Sequence, residues 1–103
     1  MNITQEKTSL SADLLRSLKK SAHHLNAVIQ FGKKGVNEAL LNEINNAIGH
    51  HELIKMRVAK DQKEAFKVGL PTILEHCCAQ HISTIGNVVI LFKKKETDSQ
   101  YDM

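Results

Sequence analysis

The residues of this chain whose types and spacing best suit chemistry lie in Phe31-Gly32-Lys33-Lys34-Gly35-Val36-Asn37-Glu38, where an apolar run meets a glycine-framed pair of lysines. Glycine at both ends lets the backbone approach a flat or charged ligand without a Cβ in the way, and the lysines concentrate positive charge between them. The chemistry this suits is recognition of phosphate. The same four residues also fit an ordinary strand-to-helix turn, so their meaning depends on what surrounds them.

Other constellations carry less. His76-Cys77-Cys78 and His81 offer thiol and imidazole donors. Adjacent helical positions point about 100° apart, and structural zinc sites pair their ligands across about two to four residues. The cysteines therefore read as one buried and one half-buried apolar residue. His23-His24 and His50-His51 could move protons, but each pair falls where a helix should end and the dipole favours such residues. No nucleophile elbow, Walker A loop, dinucleotide fingerprint or paired-carboxylate motif is present. The stretch from Gly32 to Gly35 is too short for a P-loop and lacks the following Lys-Ser/Thr. The sequence reads as a non-enzyme with no metal and no cofactor.

The chain has 103 residues, 42% of them hydrophobic and 24% charged, which suits one folded domain with a single core. Its net charge of +3 is uneven: Glu96, Asp98 and Asp102 fall in the last eight residues, which hold no Lys or Arg. Ahead of them a basic body suits a polyanionic partner. Trp is absent and Phe and Tyr are few, which argues against exposed aromatic platforms for bases. The N-terminus has no apolar leader, no window approaches a membrane span, and the cysteines form no disulfide framework, so the expected compartment is the cytoplasm.

Ser9 or Ser11 can cap a first helix with Leu14, Leu15, Leu18, Ala22 and Leu25 at helical spacing and Arg16, Lys19, Lys20 and His23 outward. Ala27 to Phe31 reads as a strand. After the glycine-framed loop, Asn37 should cap a helix with an apolar stripe of Leu40, Leu41, Ile44, Ala47 and Ile48, ending at Gly49 as C′ residue. From Glu52 to Val58, Ile54, Met56 and Val58 alternate with Lys55 and Arg57, predicting a strand with one apolar and one basic face. Asp61 should cap a third helix over 62–79, which Gly69-Leu70-Pro71 must kink or split. His81 to Ile85 and Val88 to Phe92 flank Gly86-Asn87, a tight hairpin, and the second run is apolar throughout, as in a mid-sheet strand covered on both faces. The order is α-β-α-β-α-β-β. Crossovers between the first three strands predict a mainly parallel, mixed four-stranded sheet closed by an antiparallel pair, an α/β sandwich.

Three of these stretches together resemble the YhbY-like CRM domain, named for chloroplast RNA splicing and ribosome maturation. They are Leu25 to Val36, His50 to Val58, and Ile85 to Lys93, within a match over residues 10–95. The resemblance implies a fold similar to the C-terminal domain of bacterial translation initiation factor three. It also implies RNA binding through the GxxG loop and association with precursor large ribosomal subunits. Gly32, Lys33, Lys34 and Gly35 match the family's loop, and Lys55 and the Lys19-Lys20 pair match positions where basic residues are usual. Ala27 stands where the family usually has proline, Asn37 where a threonine cap is customary, and Phe92-Lys93 where Tyr-Arg is common. Gly69-Leu70-Pro71 is also unusual there.

The sequence thus predicts a polar lead-in over 1–8, an RNA-binding domain over 9–95 and a disordered acidic tail over 96–103. The expected partner is ribosomal RNA in precursor large-subunit particles, bound by a monomer through Gly32, Lys33, Lys34, Gly35, Arg16, Lys19, Lys20, Lys55 and Arg57. Contacts would be to phosphates rather than bases. The alternative is a protein-interaction module on the same fold.

Overall fold

Ser11 begins the first helix, α1 (Ala12–Ala22): its hydroxyl accepts from the Leu14 N–H at 3.0 Å, satisfying one of the donors that a helix start leaves open. The computed structural model describes residues 11–95. The lead-in over 1–8, Ser9 as the alternative cap and the acidic segment over 96–103 lie outside the described residues.

The remaining elements are β1 (Ile29–Phe31), α2 (Glu38–His51), β2 (Leu53–Val58), a 3-10 turn (Lys60–Gln62), α3 (Lys63–Cys77), β3 (Gln80–Ile85) and β4 (Val88–Phe92). The strands form one sheet in the order β1-β2-β4-β3, with β1 and β2 parallel and the other two pairings antiparallel. The sheet is mixed, as the element order implies, but not mainly parallel: β4 rather than β3 pairs with β2. An all-apolar strand gains most from an interior place, and β3, with exposed His81, Thr84 and Ile85, is left on the edge.

Each sheet face has its own core. Ile29, Phe31, Ile54, Met56, Val58, Val89 and Leu91 point to α2 and α3, where Leu40, Ile44, Ile48, Phe66, Ile73 and Cys77 meet them. Leu53, Ile82, Ile90 and Phe92 point the other way, onto Leu14, Leu18 and Ala22 of α1. Strand alternation thus sends neighbouring residues of β4 into different cores.

Several local expectations change. Gly49 does not end α2, which continues to His51; the residue with positive φ is Glu52, at +64°. Glu52 is fully buried, and its carboxylate accepts from the Lys95 N–H at 2.9 Å while its carbonyl accepts from the Lys93 N–H at 2.8 Å. A glycine would relax the backbone there but would lose the carboxylate's hold on Lys95. Asp61 sits inside the 3-10 turn and does not cap α3. Gly69-Leu70-Pro71 does not split α3, which is continuous from Lys63 to Cys77 with Pro71 inside. Proline removes one N–H, and Pro71 lies on the exposed side, where water can satisfy the freed carbonyl. The helix ends at Cys77 rather than Ala79; Cys77 is buried, and Cys78, exposed rather than half-buried, takes the left-handed conformation.

Candidate nucleic-acid interface

The glycine-framed loop follows the end of β1, the edge strand. The Gly35 N–H donates to the Gly32 carbonyl at 3.0 Å, closing a turn with Lys33 and Lys34 at its centre. Gly35 has φ +65° and reverses the chain into α2, whose cap Asn37 accepts from the Leu40 N–H at 2.7 Å. Both lysines are exposed. A Cβ on either Gly32 or Gly35 would meet nothing within 4 Å, so both glycines border open space that a ligand backbone can enter. Val36 anchors the loop against α3 at Gly69: a Cβ at Gly69 would lie 2.5 Å from Val36 Cγ2.

Beside the loop, the described residues cover the α1 side of the sheet only in part. A helix of 11 residues is about 16 Å long and 10–12 Å wide, whereas four strands about 4.8 Å apart and about 10–20 Å long present nearly twice that area. One helix covers Leu53, Ile90 and Phe92 and leaves Gln30, Lys55, Arg57, Val88 and Ile85 toward solvent. Lys55 is half-buried, Arg57 exposed, and Ile85 is 62% and Val28 53% exposed. Register places Arg57 opposite Gln30 of β1 and Val88 of β4, on the uncovered half.

Two grooves meet at Lys55. One, of about 430 Å³, runs between the last turn of α1, with Lys19 and His23, and the sheet residues Lys55, Ile85 and Val88. The other, of about 340 Å³, lies between the α1–β1 connection and the end of α2, bordered by His24, Val28, His51 and Lys55. Ser83 lines the first groove, at the bulge of β3, and its Oγ is buried without a hydrogen-bond partner among the described residues.

The fold brings Lys19 and Lys55 into one groove, sets Arg57 on the same face, and places Lys33 and Lys34 at the end of β1 where β2 also ends with Arg57 and Val58. Lys20 is exposed but does not line the groove. Arg16 is engaged with Asp13 at 3.2 Å in an exposed pair of the kind worth little. Sequence reasoning missed Val28, Gln30, Ser83 and Ile85 as part of this surface. Alternation could have assigned them a face, but not shown that α1 leaves it open. All three phenylalanines are buried, so none offers an aromatic platform. Among the described residues no group of three or more His, Cys, Asp or Glu side chains is placed to hold a metal ion, and no helix is long and apolar enough to cross a membrane.

Comparison with known proteins gives a consistent picture. The family model described as the CRS1/YhbY (CRM) domain matches residues 10–93. A Haemophilus influenzae protein named "RNA-binding protein" is 39% identical over 89 residues, covering 86% of this chain and 90% of its own. The Bacillus subtilis protein named "Probable RNA-binding protein YqeI" is 32% identical over 88 residues, covering 85% of this chain and 92% of its own. The solution structure of the hypothetical protein SAV1595 from Staphylococcus aureus superposes with a TM-score of 0.74 at 23% identity, over 92% of this chain and 99% of that one, and shares the fold.

Proposed function

The chain belongs to the CRS1/YhbY (CRM) domain family, and from that premise we propose that it binds RNA, gripping the phosphate backbone at the Gly32–Gly35 turn and along the open half of the sheet. The observation that carries this reading is the pair of exposed lysines at the centre of a turn whose two glycines border open space. The names of the relatives support RNA as the ligand class. Lys19, Lys55 and Arg57 continue the positive charge from the turn across the face, and the burial of all three phenylalanines among the described residues favours backbone contact over base stacking.

The finer reading rests on the family resemblance. The RNA is ribosomal, the protein acts on precursor particles of the large subunit as a monomeric cytoplasmic assembly factor, and it performs no catalysis. Lys33→Ala with Lys34→Ala should weaken binding to large-subunit RNA fragments and flatten the plot of log affinity against log salt by about 1.4 for single strands or about 1.8 for duplex. Unchanged affinity and slope would remove the turn from the interface. In cell extract, co-sedimentation with precursor particles should vanish after RNase; association that survives RNase would favour a protein partner instead.

A further inference from the structure

The face of the sheet opposite α1 also carries a cavity that the interface above does not use. It has a volume of about 280 Å³ and lies between α3 and the β3–β4 hairpin, walled by Val58, Phe66, Leu70 and Val89. Its rim holds Lys63, Lys67, His81, Thr84 and Asn87, and among the described residues no carboxylate lines it. Lys63, Phe66, Lys67 and Leu70 follow the spacing of one helical stripe, so the two lysines flank the apolar wall that the other two form. Lys67 lies 3.8 Å from Glu64 in an exposed pair, and Lys63 makes no ion pair among the described residues.

The cavity is joined to the lysine turn by packing and by backbone. Phe66 meets Phe31, the residue before Gly32, edge-to-face with ring centroids 5.2 Å apart. The Ala59 N–H donates to the Phe31 carbonyl at 2.9 Å, and the Val58 N–H to the Asn87 carbonyl at 2.7 Å. The start of the turn, the end of β2 and the hairpin tip therefore share one rim of the sheet. From β1 to β4 along it is two strand spacings, roughly 10 Å.

We propose that this cavity receives a single unstacked base of the bound RNA, with Lys63 and Lys67 on the phosphates beside it. This rests on the RNA-binding reading above and adds to it a second, apolar contact on the other side of the rim. Size limits the occupant: at about 280 Å³ the cavity falls just below the roughly 300–1,000 Å³ range of small-molecule sites, room for one ring system and not for a helix. The rim's two lysines, of which Lys67 shares its charge with Glu64 and Lys63 does not, select a ring that carries negative charge with it. The hydroxyl of Thr84 and the imidazole of His81, bonded to each other at 2.7 Å, and the amide of Asn87 can exchange hydrogen bonds with a base edge.

The test uses the full chain and adenine decanucleotides in which 2-aminopurine replaces one base at each position in turn. Capture of one base should raise fluorescence as that base leaves its stacked neighbours. Thr84→Phe, which fills the cavity from its exposed rim, should abolish that rise and weaken binding about fivefold or more, with the melting temperature checked against the parent. Lys63→Ala with Lys67→Ala, at exposed helical positions, should weaken binding while leaving the circular dichroism spectrum unchanged. If the parent binds RNA, Lys33→Ala/Lys34→Ala weakens it, and both the Thr84 and the Lys63/Lys67 variants match the parent, the base pocket is wrong and the turn assignment stands. If the parent binds no RNA of any kind, both fall. Saturable shifts of the Val58, Leu70 and Val89 methyl resonances by a tyrosine-containing acidic peptide, but not by adenosine monophosphate, would overturn the proposal in favour of a protein side chain.

Discussion

Gly69 and Gly49 both lie inside helices, and replacing each with alanine should move stability in opposite directions. Alanine in place of a helical glycine is worth about 1 kcal/mol. At Gly49 a Cβ meets nothing within 4 Å, so that gain should appear nearly whole. At Gly69 the new Cβ would lie 2.5 Å from Val36 Cγ2, against an ordinary separation of about 3.5–4.0 Å. Val36 cannot easily retreat: its β-branch restricts χ1, and it packs half-buried against the larger core. Overpacking of this kind costs about 1–3 kcal/mol, leaving Gly69→Ala about 0–2 kcal/mol less stable than the parent. The two variants should therefore differ by about 1–3 kcal/mol, at about 4–8 °C in Tm per kcal/mol for a domain of this size. Urea titration followed by circular dichroism at 222 nm measures it, and Val36→Ala added to Gly69→Ala should recover part of the loss. Since Val36 directly follows Gly35, Gly69→Ala should also weaken RNA binding. If Gly69→Ala stabilises as much as Gly49→Ala, α3 does not press on the loop, and the anchoring argued above is refuted.

Gly32→Ala separates fold from binding. Its Cβ meets nothing within 4 Å and its φ is not positive, so stability should hold while RNA affinity drops, as read by a filter-binding titration; equal affinity would mean that RNA does not approach that backbone. Asn37→Ala removes the cap of α2 and should cost about 1 kcal/mol in a urea melt. Exposed Cys78 should react with a thiol reagent in the folded protein, whereas buried Cys77 should react only on opening. Burial pushes the Cys77 thiol above its ordinary 9.0, with Lys93 partly opposing and Cys78 adding to the rise. The unfolded chain therefore releases this proton first, so Cys77 contributes a loss of stability as pH climbs past 9.0. Cys77→Ala should show a shallower alkaline decline than the parent, and parallel declines would assign it to other groups.

The sequence alone determined what depends on a few neighbouring residues. Asn37 capping α2, the Gly86-Asn87 hairpin and the alternation of Ile54, Met56 and Val58 were legible because caps, turns and strand period are short-range consequences of side-chain chemistry. The apolar run of β4 also announced its interior place. The glycine-framed lysines were visible as a pattern, but four residues cannot report that their glycines border open space. Tertiary structure decided which strand pairs with β2, because that choice depends on burying β4 on both faces, a gain shared across the whole sheet. It put the positive φ on Glu52 rather than a glycine, because the buried carboxylate holds the chain after β4 in place. It kept α3 whole through Pro71, since one lost hydrogen bond on an exposed side is a small penalty against the packing of Phe66, Ile73 and Cys77. And among the described residues it left half of one sheet face open, because a single helix lies where two would be needed to cover it.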